Sequence, residues 1–421
     1  MINKIITLII VISSFIIAAF NVPITGQAIG NDFINFEKLY AGVLILRTGN
    51  VYPDQIVAVK SEKGIVIFDT GISPTLTKEY RKIIEQEFPG DKISYVVNTH
   101  HHFDHTNGNQ IFADATIIAH ENCPGAMLQF SENKEEFVKS RRERYLRRNE
   151  LAETLDTSSD LYKRLKDLVF MSGQMCDDLE SIFQLTLPDI IFSDQLEIDL
   201  GDMTLRLFHF PPGFHTNNDI IAVIPELGLI FTGDILPEIE PTASITSKHN
   251  LEDALKVLDD VIQCCGEIKN VVTIHDGVLP PSVFFNFKNN LSAMLTDKQT
   301  KKSAVLKIEE SLAEIEMDKL KLMLNEMITN DDYYLLEGDL IELADRNISE
   351  GKKEIGLALF ELSSEMFPGS ANSFEWLGDA YFQIGNYEKA KASFQRALKL
   401  YPVDSFAADM IYQIEKKLND S

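Results

Sequence analysis

The sequence predicts an α/β domain followed by an all-α domain, and three observations lead there. Short apolar runs of strand length alternate with helical patterning as far as residue 280. Beyond Pro280 the patterning is helical throughout. Within that helical part a set of packing positions recurs at a spacing of ~34 residues. The 421 residues leave room for two or three domains of ~100–150 residues each. Hydrophobic residues make up 45% and charged residues 24%, which excludes wholesale disorder.

Taken in order, residues 1–28 read as a secretory signal. Residues 5–20 form an uncharged, isoleucine-rich run, broken only by Thr7, Ser13 and Ser14 and preceded by Lys4. As a helix this run spans ~24 Å, short of the ~30 Å hydrocarbon core of a bilayer. Gly26, Gln27 and Ala28 supply small residues where a signal peptidase cuts. The expectation is therefore a cleaved leader rather than a retained anchor, a secreted or periplasmic protein, and no membrane span in the mature chain.

Strands are expected over residues 41–47, 55–60 and 64–69, a helix over 75–88, and further strands over 92–98 and 115–120. Residues 122–187 then turn to long, charged, helical sequence, read as an insertion of several helices at a position where active-site lids sit. Strands return at 190–200, 203–210, 219–225 and 228–232. A helix over 251–264 and a last strand over 270–275 follow. The expected division is a catalytic domain over 33–290, a helical linker over 291–336 and a repeat domain over 337–421.

In the repeat domain Phe374, Leu377, Gly378, Tyr381, Ala390, Phe394, Ala397 and Pro402 stand where a tetratricopeptide repeat places its packing residues. One repeat earlier the match recurs more weakly at Leu343, Gly356, Phe360, Ser363 and Pro368. With a final helix over 405–418, two repeats are near the minimum that buries a continuous core. They suit bracing of the catalytic domain, self-association or recognition of a protein partner.

The chemistry concentrates in Thr99–His105 (THHHFDH), which holds four of the nine histidines just after an apolar strand. His100 and His102 alternate, so on a strand-to-loop exit they face one metal together, while Asp104 and His105 turn toward a second. Histidines packed this densely are poor core residues, since each buried imidazole needs its own partner.

The segment His100-x-His102-x-Asp104-His105 resembles the signature of the metallo-β-lactamase superfamily, metal-dependent hydrolases with a four-layer αβ/βα sandwich. That family next expects a His, an Asp after a strand and a final His. His215 after Gly213-Phe214, Asp234 closing a strand, and His275 stand in that order. The strand ending in Phe68-Asp69-Thr70-Gly71 also resembles a family element, whose Asp supports the site from behind the ligands. The resemblance implies that His100, His102 and His215 hold one metal and that Asp104, His105 and His275 hold another. Asp234 would bridge the two.

Such ligands suit two zinc ions per chain, and manganese or iron fits the same types. The implied reaction is hydrolysis of a small-molecule ester, thioester, lactone or amide-type bond by a hydroxide held between the metals, with Asp104 orienting it. Asp at position 234 is similar to thioesterase-like members, whereas antibiotic-degrading members carry Cys or Ser there.

Arg144 and Tyr145 of the insertion are the residues assigned to substrate contact. Six cations (Lys139, Arg141, Arg142, Arg144, Arg147, Arg148) fall within ten residues. They read first as a solvated helix face balanced by Glu135, Glu136 and Glu143, and otherwise as an attractor for an anionic substrate. Cys123 and Cys176 bracket the insertion, with a disulfide and free thiols both open, while Cys264 and Cys265 read as buried apolar residues. His101 is expected to point away from the metal; His120, His209 and His249 have no partners at metal spacing.

A formal net charge of −25 argues against a general nucleic-acid binder. Two rival functions remain: a binding or scaffold protein acting through its repeats, and a di-iron oxidoreductase or sulfur-handling enzyme of the same fold. The second is disfavoured because no flavodoxin-like segment follows.

Overall fold

The computed structural model describes residues 34–49, 54–236, 248–312, 317–329 and 332–419. The leader read over residues 1–28 lies outside them. In the first sheet, β1 (Ile34–Tyr40), β2 (Val43–Thr48), β3 (Asp54–Ser61) and β4 (Gly64–Phe68) form an antiparallel meander. Parallel strands β5 (Ile93–Val97), β6 (Thr116–His120) and β7 (Ile190–Phe192) extend it to seven. The second sheet has six strands in the order β13 (Val278–Leu279), β12 (Asn270–Thr273), β11 (Leu229–Gly233), β10 (Ile220–Ile224), β9 (Thr204–His209) and β8 (Gln195–Asp199). Only the β11–β12 pair in it is parallel.

Period-two patterning explains why the sheets stack in four layers. Along β2, Val43 and Ile45 face the other sheet, while Leu44 and Leu46 face outward. The inner faces share one core, with Phe68 of β4 stacked on Phe231 of β11 at a ring separation of 3.8 Å. The outer face of the first sheet packs on Leu76, Tyr80, Ile83 and Ile84 of α1 (Pro74–Glu87). That of the second sheet packs on α6 (Lys248–Cys265) and α7 (Pro281–Thr300) through Leu251, Leu258, Phe284 and Leu291. The strand-and-helix alternation has thus become a helix–sheet–sheet–helix sandwich with one apolar core between the sheets and one on each outer face.

The run 190–200 differs from its expectation as a single strand. Ser193 and Asp194 break it: β7 closes the first sheet, and β8 opens the second. The main chain of Asp194 accepts the amide of His209 (2.8 Å), so this polar pair is where the chain crosses between sheets.

The insertion forms α3 (Cys123–Glu132), α4 (Lys134–Thr154) and α5 (Asp160–Ser181), following the four-residue α2 (Phe103–Thr106). It is bolted to the sandwich. Buried Asp178 of α5 accepts from Ser73 Oγ (2.5 Å), Thr75 N (2.7 Å) and Thr75 Oγ1 (2.8 Å) at the start of α1. Cys123 and Cys176 are free, buried thiols in separate apolar clusters, so no disulfide staples the insertion.

The remaining helices are α8 (Ala304–Ser311), α9 (Met317–Thr329), α10 (Glu337–Ser349), α11 (Lys353–Met366), α12 (Ala371–Gln383), α13 (Tyr387–Leu400) and α14 (Ser405–Asn419). The boundary expected at residue 290 falls inside α7. The stretch expected as a linker belongs to the repeat core, because Ala304, Ile308, Leu320 and Leu324 pack in the same cluster as Leu343, Phe360 and Phe394. A parallel pair of two-residue strands, β14 (Lys302–Ser303) and β15 (Tyr333–Tyr334), ties its ends. In the α12–α13 hairpin a Cβ on Gly378 would meet the Phe394 ring at 2.9 Å, so the two helices approach this closely only over glycine.

The repeats dock on the insertion. Arg147 Nε and Nη2 donate to the two carboxylate oxygens of buried Asp409 on α14 (3.2 Å each), and Arg148 donates to Ser405 (3.2 Å). Leu151, Ala152, Leu165 and Ala408 form an apolar cluster beside them. Among the described residues no helix is long and apolar enough to cross a membrane.

Candidate metal centre

Every residue of the expected ligand set lies at the end of a strand or in the loop after it, at one edge of the sandwich. β5 leads into His100, His102, Asp104 and His105; β9 leads toward His215, β11 into Asp234 and β12 into His275. Asp234 is delivered by Gly233, whose φ of +53° and whose approach to Thr99 (2.6 Å from an added Cβ to Oγ1) leave no room for a side chain.

These side chains converge in two adjoining groups, His100/His102/His215/Asp234 and Asp104/His105/His275. In the first, His100 Nε2, His102 Nδ1 and His215 Nε2 form a triangle with edges of 3.0, 3.0 and 3.1 Å. A metal–nitrogen bond of ~2.0–2.1 Å exceeds the radius of the circle through those atoms, so the three nitrogens are close enough together to hold one cation. In the second, His275 Nε2 lies 3.3 Å from Asp104 Oδ2, and His105 Nε2 is buried without a hydrogen-bond partner. Asp234 Oδ2 stands between the groups, 3.9 and 3.7 Å from His100 and His215 and 3.3 and 3.5 Å from His105 and His275. Imidazole nitrogens turned toward one another, with an orphaned buried nitrogen beside carboxylate oxygens of Asp104 and Asp234, are a donor set that fits divalent metal.

The electrostatics differ between the two groups. Burial, and then the neighbouring His105, hold His100 well below the ordinary histidine range; burial and His215 bring His102 down to about 4. Both imidazoles are therefore neutral, with a lone pair to offer. Burial works to raise Asp104, but His105 and the hydrogen bond from His275 draw it down to about 2. Asp234 is held well below the carboxylate range against burial by His105 and His275. Burial also opposes charge on His105, yet Asp234, Asp69 and Asp104 lift it well above its usual value.

Behind the ligands, Asp69 is buried and sits at φ +57°. It accepts from Thr99 N (2.7 Å), Thr99 Oγ1 (2.7 Å) and His105 Nδ1 (2.9 Å), which turns His105 Nε2 toward the cluster. Asn98, Asn109 and Thr70 brace the same loop through the main-chain oxygen of His105 and through one another. His101 turns aside, its Nδ1 accepting from Asn218 Nδ2 (2.9 Å).

Tyr145 lies elsewhere, against Gly173 of α5, with the Arg142 guanidinium 5.9 Å from its ring. Among the cations of the insertion, Arg141 reaches the ligand loop, 5.1 Å from the ring of Phe103, the residue between His102 and Asp104. Phe130 and Phe137 complete an aromatic wall there. Three of the other cations are engaged in structure: Arg142 pairs with Asp177 and Glu180, and Arg147 and Arg148 turn to α14. Lys139 is exposed, so the basic run divides between packing and a solvated face.

Three features escaped the sequence pattern. Asp54 and Asp219 are buried carboxylates beside the cluster, each with one unpartnered oxygen. Their signal was an acidic residue opening a strand that is otherwise buried along its length. His120 and His209 stack on each other across the two sheets at 3.8 Å and 15°.

A metallo-β-lactamase superfamily model matches residues 50–264, more than half of the 421. The chain belongs to the metallo-β-lactamase superfamily. A tetratricopeptide repeat model matches residues 371–402. The chain is 36% identical over 67 residues to the alpha subunit of 2,4-dinitroanisole O-demethylase from Nocardioides sp. (strain JS1661). That match spans 15% of this chain and 20% of the relative. Among solved structures, the metallo-β-lactamase from Pontibacter korlensis aligns over 62% of this chain and 99% of its own, at 16% identity and a TM-score of 0.41. FIM-1 from Pseudomonas aeruginosa, in its mono-zinc form, aligns over 62% and 96%, at 15% identity and a TM-score of 0.40.

Proposed function

We propose that the protein is an exported hydrolase that uses two divalent metal ions, zinc before manganese or iron, to cleave an ester, thioester, lactone or amide-type bond in a small molecule. Superfamily membership supports metal-dependent hydrolysis in general. The observation that carries the dinuclear reading is Asp234 Oδ2, within 3.3–3.9 Å of four imidazole nitrogens drawn from both groups. His100, His102 and His215 would hold one ion, Asp104, His105 and His275 the other, and Asp234 would be shared. Bound there, the metals would supply a water nucleophile at neutral pH and polarise the bond under attack.

The chain's own residues prepare the rest. Asp104, held ionised, is fit to orient an attacking water by accepting a hydrogen bond from it. Asp69 fixes the His105 ring, and Asn218 holds His101 out of the way. Phe103, Phe130 and Phe137 close one side to water, with the Arg141 guanidinium at their edge to meet an anionic or polar group on the substrate. The repeats, docked on the insertion through α14, brace that wall and leave their other faces for a protein partner.

The test is metal analysis of the purified full chain by mass spectrometry, then turnover of lactones, thioesters, β-lactams, phosphodiesters, sulfate esters and 2,4-dinitroanisole. Two zinc ions per chain with turnover at a carbonyl centre support the reading; activity that survives complete chelation overturns it. Export is checked by sequencing the N-terminus of protein recovered outside the cytoplasm, expected near residue 29.

A further inference from the structure

Asp54 opens β3 and is 2% exposed. Its Oδ2 accepts the amide of Ile72 (3.1 Å), while Oδ1 is buried with no hydrogen-bond partner. Its neighbour Gln55 donates to the main-chain oxygen of Thr273, at the end of the strand that delivers His275. Asp54 thus sits where the first sheet meets the second at the ligand edge, and the charges that act on it are those of Asp104, His275 and His105. Burial, then Asp104, push its carboxyl up to about 7.

A buried carboxylate with a free oxygen is costly unless a positive charge lies within reach. Structural need accounts for only one of its oxygens, since the turn after β4 uses Oδ2 alone. The three groups whose charges act on it are one complete half of the proposed metal centre, and they carry a single unit of negative ligand charge, on Asp104, apart from the shared Asp234. A divalent cation held there would be under-neutralised by its own ligands.

We propose that Asp54 is the charge-compensating and positioning carboxylate of the Asp104/His105/His275 half-site, raising its affinity for a divalent cation without belonging to the other half. The assignment rests on the two-metal reading above. It implies an asymmetric centre: one ion, on His100, His102 and His215, would have the shared Asp234 as its sole carboxylate, and the other would depend in addition on Asp104 and on an anion contributed by a different strand. It also implies a trade, because in the chain without metal the same carboxyl is a buried acid whose desolvation weakens the fold.

The experiment is a titration of the full chain, stripped with a chelator, with Zn²⁺ against a chromophoric competitor, alongside melting of the stripped chain. Asp54→Asn keeps an oxygen for the Ile72 amide and removes the charge. The expected result is an unchanged first equivalent, a second equivalent weakened roughly 10- to 100-fold, and a stripped-chain Tm no lower than wild type. Asp54→Ser, read in the same titration, serves if the amide does not fold. An unchanged second equivalent overturns the assignment. So does equal weakening of both equivalents with a lowered Tm, which marks a purely structural residue. A wild-type chain that takes up one equivalent only overturns the two-metal reading and this assignment together, so the two failures are distinguishable.

Discussion

Replacing Asp69 by asparagine tests whether the residue behind the ligands decides what His105 can bind. Asp69 is the one non-glycine residue with positive φ among the described residues, at +57°. Asparagine tolerates that conformation about as well as aspartate, so the backbone is not the variable; alanine would add left-handed strain of ~1–2 kcal/mol and blur the result. Three donors converge on the carboxylate: Thr99 N and Thr99 Oγ1 at 2.7 Å each and His105 Nδ1 at 2.9 Å. The amide has one oxygen and one NH₂.

If the oxygen stays on Thr99 N, the hydroxyl of Thr99 can rotate to accept, but the NH₂ then faces the N–H of His105. His105 escapes only by moving its proton to Nε2, the nitrogen aimed at the cluster, and a protonated nitrogen has no lone pair for a metal. If the amide flips, the main-chain N–H of Thr99 is opposed instead. Either way one charge-assisted bond is lost, worth ~1.5–3 kcal/mol, which corresponds to roughly 10- to 150-fold in affinity for the ion on Asp104, His105 and His275. Competition of the stripped chain for Zn²⁺ measures it directly. A second equivalent within about threefold of wild type would refute the argument that the tautomer of His105 is set from behind.

Other expectations follow from the same geometry. His102→Ala removes one corner of the imidazole triangle, and Asp234→Asn removes the carboxylate shared by both groups; the first should lose about one metal per chain and the second should weaken both, each with loss of turnover, read by mass spectrometry and a hydrolysis assay. Arg147→Ala leaves Asp409, 2% exposed, as a buried charge, so stability to urea should fall by about 1–3 kcal/mol, and Asp409→Asn in the same chain should recover part of it. Burial, then Asp404, push Glu375 up to about 8 from 4.5. Its protonated form favours the folded repeats, so this stabilising contribution is complete below about pH 4.5 and is lost as the pH rises toward about 8. The Tm gain of Glu375→Gln over wild type should accordingly be larger near pH 9 than near pH 5.

Much of this centre was legible because its ligands are clustered in sequence or stand directly after apolar strands. A seven-residue stretch holds four of the candidate ligands, and a strand-to-loop exit is where a sheet can present side chains to solvent while its core stays dry. The repeats were legible for a similar reason: Gly378, Phe394 and Pro402 act through local helix packing at fixed spacing. The crossover at Ser193 and Asp194 was hidden because both halves of the run carry strand patterning, and only the partner strands say to which sheet each belongs. Asp54, Asp219 and the His120–His209 stack were hidden more deeply, since each acquires its meaning from a residue in another layer.

The insertion shows what such long-range placement does to function. Its cations lie within ten residues, yet they part company in space: Arg141 goes to the ligand loop, Arg142 to α5, Arg147 and Arg148 to α14. One helix therefore touches the wall of the metal centre on one side and carries the repeats on another. α5, paired with it through Arg142, is fixed to the sandwich through Asp178 at the start of α1. A force applied to the repeats by a bound partner would reach the aromatic wall through α4 without passing through the sandwich core. The expected effect of such a force is on the aromatic wall first, since the loop bearing His105 is held from behind by Asp69, Asn98 and Asn109.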